Sequence, residues 1–418
     1  MHYVIIGNGV AGINAANRLR NLDDEAEITI ISYESKHHFS RTALMYVFCG
    51  QLSEQCVEPF ERDHYEKMGF KRIHNKVVSL DVLNKKLQLK NGQSLTYDKL
   101  LIASGSVPVM FDWKGADLEG VGNFVLWSDL EWLLEKAKTA KKAVVVGGGL
   151  IGIETAEILQ LAGIQTTFLI RESHYWPVAL DENEGTIVCD HMKEHGIDVR
   201  LKTEMQEILG DNGKVTGVKT SNGETIDADL VLIAIGVRPQ TDWLADSGLN
   251  FDDRGGIIVD EQLQTNLENV YAAGDCTSVV WFNDVRRPEQ LWYTSRDQGL
   301  VAGENLFGLE KNYKRGIFYN SAKFFDIEYT TAGYVNFNFE DEQNWYQKEE
   351  GKPYTVRVTY LPDKTVIGFN MLGRRWNHTI LVQWIAEKRK LDWVLKHLNE
   401  ANYDEELMSP FQVSGGIS

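Results

Sequence analysis

The chain has 418 residues, 43% of them hydrophobic and 25% charged, with a net charge of −17 from 43 basic and 60 acidic side chains. That length holds two or three domains, and the balance excludes a disordered chain, a collagen and a coiled coil. The acidic excess falls wholly within residues 1–310, because 311–418 carry 14 groups of each sign; such a field repels phosphate backbones and argues against a nucleic-acid partner. No run approaches the ~18 apolar residues of a membrane span. Met1 leads almost at once into the apolar run Tyr3–Ile6, with no basic leader or cleavage site. The four cysteines (Cys49, Cys56, Cys189, Cys276) are too few for a disulfide framework. The expectation is a cytoplasmic protein in a reducing compartment.

Along the chain, Tyr3–Ile6 reads as a buried strand, Gly7-Asn8-Gly9-Val10-Ala11-Gly12 as a turn and Ile13–Leu22 as a helix, followed by a strand at Glu27–Ser32. Residues 99–108 read as a buried strand ending in the turn Ser104-Gly105. The first pattern then returns about 140 residues on: strand Ala143–Val146, turn Gly147-Gly148-Gly149-Leu150-Ile151-Gly152, helix Ile153–Leu161 and strand Gln165–Ile170. Residues 229–239, which include Gly236, echo 99–108, and residues 269–273 form a strand that runs into Gly274-Asp275. In a G-x-G-x-x-G turn the first glycine allows the tight bend and the second lets a pyrophosphate approach the backbone. The third packs helix on strand, with the helix N-terminus aimed at the phosphates. One copy is a weak signal, whereas two in strand–helix context point to two doubly wound domains.

The simplest layout is nested. Residues 1–108 and 237–310 form one dinucleotide-binding domain, and 109–236 form a second inserted into it. Residues 311–418 differ: strands at Glu328–Val335, Tyr354–Tyr360 and Thr365–Met371, then helices at Thr379–Lys388 and Asp392–Leu398, suggest an α+β domain with an antiparallel sheet. The predicted fold class is α/β, with two nested doubly wound (Rossmann-like) dinucleotide-binding domains and a C-terminal α+β domain.

Together these motifs resemble the FAD/NAD(P)-dependent pyridine nucleotide oxidoreductases, on the branch of the rubredoxin and ferredoxin reductases and NADH oxidases. The resemblance implies FAD on the first unit, NADH or NADPH on the second, and hydride transfer to flavin N5 where the two sites face each other. It places Gly7, Gly9, Val10, Ala11 and Gly12 on the FAD pyrophosphate and Glu34, 22 residues after Gly12, on the adenosine ribose. Arg41, in Phe39-Ser-Arg-Thr-Ala-Leu44, matches the family's aromatic-x-Arg-Pro-x-Leu segment with Thr42 in place of proline. Asp275 matches the residue at the flavin's ribityl and phosphate portion. Val78, Ser104, Gly105, Gly236 and Gly274 join the implied cofactor contacts. Gly147, Gly149, Ile151 and Gly152 would take the nicotinamide dinucleotide. Glu154 matches the glutamate at the nicotinamide–flavin contact, and Tyr46 stands where several relatives pair it with lysine, so its pKa is expected to be raised. Trp292 falls where relatives place a tryptophan near the flavin's pyrimidine end. Glu154, Tyr46 and Trp292 are thus the implied catalytic set, and the C-terminal domain resembles an interface domain, implying a homo-oligomer.

Two questions stay open. The second strand of the second unit ends in Arg171-Glu172, where arginine suits a 2′-phosphate and a carboxylate suits a ribose; the slight preference is for NADPH. The acceptor is set by what the cysteines cannot do. Cys49 and Cys56 lack the C-x-x-x-x-C spacing of disulfide reductases. Leu44 occupies the redox-cysteine position of NADH oxidases and peroxidases, and His378 is followed five residues on by Gln383 rather than glutamate. A flavin without a thiol relay passes electrons outward singly, which suggests a small iron–sulfur protein such as rubredoxin or ferredoxin as acceptor. Such a partner would dock on Arg286-Arg287, Arg374-Arg375 or Lys388-Arg389-Lys390. The alternatives are an NAD(P)H-sensing flavoprotein of the apoptosis-inducing-factor type and an NAD(P)H oxidase or quinone reductase. Residues 391–418, with Lys396 against five acidic groups, lack the basic membrane anchor expected of the last.

Overall fold

Apolar β-branched runs such as Val4-Ile5-Ile6 and Val144-Val145-Val146 suit extended backbone covered on both faces. In the computed structural model both runs are central strands of parallel sheets. The structure describes residues 1–281, 285–337, 341–404, 406 and 409–413. The chain divides into two compact units: Met1–Met110, Asn123–Glu135 and Gly236–Arg315 make the first, and Phe111–Gly122, Lys136–Ile235 and the chain from Gly316 onward make the second.

In the first unit five parallel strands run in the order Val270–Ala272, Lys99–Ile102, His2–Ile6, Glu27–Ser32, Lys71–His74. The helices Val10–Leu22 and Trp292–Phe307 pack against each other through small residues: a Cβ on Gly299 or Gly303 would fall within 2.6 Å of a carbonyl oxygen of the first helix. In the second unit the parallel order is Asp198–Leu201, Gln165–Ile170, Lys142–Val146, Leu230–Ile233, Val121–Gly122.

The second unit also holds an antiparallel sheet, ordered Tyr319–Phe324, Ile327–Gly333, Val366–Leu372, Thr355–Tyr360, Gln343–Lys348. The helices His378–Ala386 and Leu391–His397 cover it through Phe369, Met371, Leu381, Trp384 and Val394. Two of its strands, Tyr319–Phe324 and Gln343–Lys348, have no counterpart in the sequence reading. Both are edge strands, where polar residues such as Asn320, Gln343 and Gln347 break the apolar run. Among the described residues no helix is long and apolar enough to cross a membrane.

Candidate functional site

Three adjacent strands of the first unit end together, and the segments that follow them are Gly7–Gly9, Ala103–Gly105 and Ala273–Asp275. The chain crosses from His2–Ile6 to Glu27–Ser32 on one flank and reaches Lys99–Ile102 on the other, so a crevice opens at their carboxyl ends. Gly7 has φ +111°, and a Cβ there would sit 2.0 Å from the Ala103 carbonyl oxygen; one on Gly12 would sit 2.1 Å from that of Gly7. The fold itself demands both glycines. Gly9 is different: its φ of −79° suits any residue, and a Cβ would meet nothing within 4 Å. The helix that starts beyond it has no side-chain N-cap, which leaves its first N–H groups to an anion. A glycine that the protein does not need, before an uncapped helix, fits a pyrophosphate.

A buried network fixes this turn. The Tyr65 hydroxyl accepts from the His38 backbone N–H at 2.7 Å and from the Asn8 amide at 2.9 Å, and His38 Nδ1 lies 3.0 Å from the Asn8 carbonyl oxygen. Burial holds the His38 imidazole below its usual range, so near neutrality the ring is uncharged and its Nδ1–H donates to that carbonyl. The sequence reading missed Tyr65 and His38; only the polar Asn8 inside a glycine turn signals that partners are needed.

Glu34 and Arg41 meet as a two-pronged ion pair, at 2.8 and 2.7 Å. Glu34 also accepts from the Trp127 backbone N–H at 2.9 Å, and Arg41 donates to the Val125 carbonyl at 2.7 Å. Asp275 accepts from Ser295 at 2.9 Å and Ser106 at 3.1 Å; burial pushes its carboxyl up against those bonds and the charge of Arg41. Gly274 donates its N–H to Gln298, and Ser104 donates to the Gln240 carbonyl, whose own N–H bonds Gly105. Gly236 accepts from the Val109 N–H. Tyr46, Val78 and Trp292 are exposed, and among the described residues no hydrogen bond or ion pair joins them to the Glu34–Arg41–Asp275 group.

The second unit repeats the device. A Cβ on Gly147 (φ +120°) would lie 2.4 Å from the Ala234 carbonyl oxygen, and one on Gly152 would lie 2.1 Å from that of Gly147. Gly149 again has an ordinary φ, −110°, and nothing within 4 Å of a Cβ. The helix Leu150–Leu161, with Ile151 in its first turn, lacks a side-chain N-cap. Behind the turn the buried Tyr175 hydroxyl donates to the Gly149 carbonyl at 3.2 Å. Glu154, one turn along, is pushed up to about 7 by burial and then by the like charge of Glu157, so it holds its proton about half the time near neutrality. At the strand end, Arg171 is spread over the surface and pairs with Glu172 at 2.7 Å. The other Glu172 oxygen sits 3.7 Å from the Cβ position of Gly148, beside the glycine turn.

The model of the pyridine nucleotide-disulphide oxidoreductases matches residues 1–299. The chain belongs to that family. It is 30% identical over 373 residues to a nitrite reductase [NAD(P)H] of Bacillus subtilis, covering 88% of this chain and 45% of that one. It therefore spans about half the length of that relative. It is 28% identical over 278 residues to a rubredoxin-NAD(+) reductase of Pseudomonas putida, covering 66% of this chain and 72% of that one. A solved NAD-dependent persulfide reductase from A. fulgidus superposes with a TM-score of 0.87 at 25% identity, over 95% of this chain and 79% of that one.

In this member of the disulphide oxidoreductases, none of the four cysteines is in a disulfide. Cys276, beside Asp275, is fully buried with its thiol on the Ile102 and Ala273 carbonyls, and burial pushes it up; it packs as a small apolar side chain. The basic runs are largely consumed within the fold. Arg286 donates to the Val259 and Ser278 carbonyls, Arg287 stacks 3.2 Å over Trp281, and the buried Arg374 pairs with Glu349 at 2.8 Å. Arg389 and Lys390 pair with Glu387 and Asp363.

Proposed function

We propose that the chain is an FAD-dependent NAD(P)H oxidoreductase that passes electrons singly to an external iron–sulfur protein. The observation that carries the cofactor reading is the pair Gly9 and Gly149, glycines with open Cβ positions and unstrained backbone before uncapped helices. FAD held by Gly9, the first turn of Val10–Leu22 and Asp275 would supply a ring that takes a hydride from nicotinamide and releases its electrons outward. The name of the rubredoxin reductase and the internal packing of Cys276 support the iron–sulfur acceptor. The test is a panel of acceptors (ferricyanide, oxygen, a quinone, glutathione disulfide, a ferredoxin and a rubredoxin), run with the native chain and with Cys49, Cys56 and Cys276 all replaced by Ser or Ala. The iron–sulfur proteins should turn over fastest, and the triple variant, once folded and flavin-loaded, should match the native chain. Loss of acceptor turnover with flavin retained would return the protein to thiol chemistry.

For the coenzyme, the carboxylate of Glu172 beside the glycine turn supports NADH in place of the NADPH that Arg171 suggests, because it suits ribose hydroxyls and repels a 2′-phosphate. Glu172→Ala should raise the KM for NADH about 10–150-fold, the effect of ~1.5–3 kcal/mol from bonds to a charged group. The same change frees Arg171 and should lower the KM for NADPH. An unchanged KM for NADH would remove Glu172 from the ribose.

A further inference from the structure

A cluster in the second unit lies outside both cradles, at the end of the helix Glu182–Glu194. His191 is in its last turn and His195 is its C-terminal cap, and the four-residue spacing puts both rings on one side, with centroids 4.4 Å apart. Facing them is Asp326, from the two-residue turn Phe325-Asp326 that joins strands Tyr319–Phe324 and Ile327–Gly333. One ligand atom from each of the three side chains falls within 4.8 Å of the others. We propose that His191, His195 and Asp326 bind one borderline divalent transition-metal ion of the Zn²⁺ class, fastening this helix to the hairpin turn.

The hydrogen bonds set the rings for ligation. His195 Nδ1 lies 2.9 Å from the His191 carbonyl oxygen. A carbonyl only accepts, so Nδ1 carries the proton and Nε2 keeps a free lone pair. His191 Nδ1 lies 3.6 Å from the Glu194 carboxylate, and its Nε2 hydrogen-bonds Asp326. An ion on His191 Nε2 would take the place of the hydrogen bond between that nitrogen and Asp326. Tetrahedral ligands about 2.0–2.1 Å from zinc stand roughly 3.3 Å apart, so ligand atoms already within 4.8 Å of one another need close only part of that gap. Two imidazoles and one carboxylate suit Zn²⁺ rather than Ca²⁺ or Mg²⁺, which take oxygen. Asp326 and His195 are exposed, which leaves a coordination position to water.

The turn that presents Asp326 is built against local preference. Phe325 has φ +58°, a left-handed conformation that a bulky residue rarely adopts. It is held there by burial and by its ring, 4.7 Å from that of His195. Strained backbone persists where its surroundings over-determine it, and here the result is to aim Asp326 at His191.

The test is calorimetric titration of Zn²⁺ into the full-length, untagged, flavin-loaded protein at about pH 7.5, above the ordinary imidazole range. One ion per chain should bind and should resist excess Mg²⁺. His195→Gln and Asp326→Asn should each weaken binding at least tenfold, the smallest loss expected even from an outer partner of a ligand. X-ray absorption at the zinc edge reads the ligands with no variant needed, and should show imidazole nitrogen with carboxylate or water oxygen. No saturable site, displacement by Mg²⁺, a loss below tenfold in either variant, or sulfur around the ion would each overturn the assignment.

Discussion

Gly9→Val should yield folded, colourless protein. At φ −79° valine is allowed, and its Cβ meets nothing in the chain, so the substitution leaves the core of the first unit untouched. The new methyl groups occupy the space before the helix Val10–Leu22, where a pyrophosphate would come within hydrogen-bonding distance of the backbone. Losing two charge-assisted hydrogen bonds costs about 3–6 kcal/mol, roughly a hundred- to ten-thousandfold in affinity, enough to empty the site during purification. Gly149→Val is the matched control: it should keep the yellow flavin and lose NAD(P)H binding. Gly12→Val separates structure from ligand, since its Cβ would lie 2.1 Å from the Gly7 carbonyl and the unit should fail to fold. Absorbance at the flavin band against protein concentration, with circular dichroism for folding, reads all three. Full flavin occupancy in Gly9→Val would remove FAD from the first cradle.

What was legible in the sequence was local. The glycine turns lie between an apolar run and a helix, and the glycine pattern that marks them falls within about ten positions. The central strands declare themselves because burial on both faces requires unbroken apolar β-branched runs. What the sequence hid was set by distant partners. Glu34 and Arg41 read as separate cofactor ligands, yet they sit seven residues apart and pair with each other in the structure. A ribose hydroxyl at Glu34 would have to share that carboxylate with Arg41 and the Trp127 N–H. The basic runs read as candidate docking patches for an acidic acceptor; Arg286 instead donates to the Val259 and Ser278 carbonyls, and Arg374 pairs with Glu349, 25 residues away in sequence. The raised pKa of Glu154 was expected from burial without its usual cation; burial is indeed its main cause, with the like charge of Glu157 adding to it.

The largest stability effect is expected at a contact of that hidden kind. Arg357, in the antiparallel sheet, reaches the fully buried Glu184 of the helix Glu182–Glu194 at 2.8 Å, across 173 residues of sequence. The same arginine donates to the Asn336 side chain and the Ala179 carbonyl, while Asn370 donates to Glu184 at 2.8 Å. Glu184 is also the third residue of its helix's capping box with Asp181. Burial pushes the Glu184 carboxyl up even though the charge and hydrogen bonds of Arg357 pull it down. Removing one partner of a buried pair leaves an uncompensated charge and costs about 3–5 kcal/mol, whereas replacing both with apolar groups is often neutral. Arg357→Ala should therefore lower the melting temperature of the second unit by roughly 6–20 °C, and Arg357→Leu with Glu184→Leu should recover much of that loss. The loss should also depend on pH. A carboxyl whose folded-state pKa is raised contributes stability that is present below its unfolded value and disappears as pH rises through the folded one. Without Arg357 that rise is steeper, so the variant should lie closest to native stability near pH 5 and furthest from it at pH 8. Thermal melts at both pH values decide the matter: a change in Tm of less than about 2 °C at pH 8 would mean that Asn370 and the capping box alone satisfy Glu184.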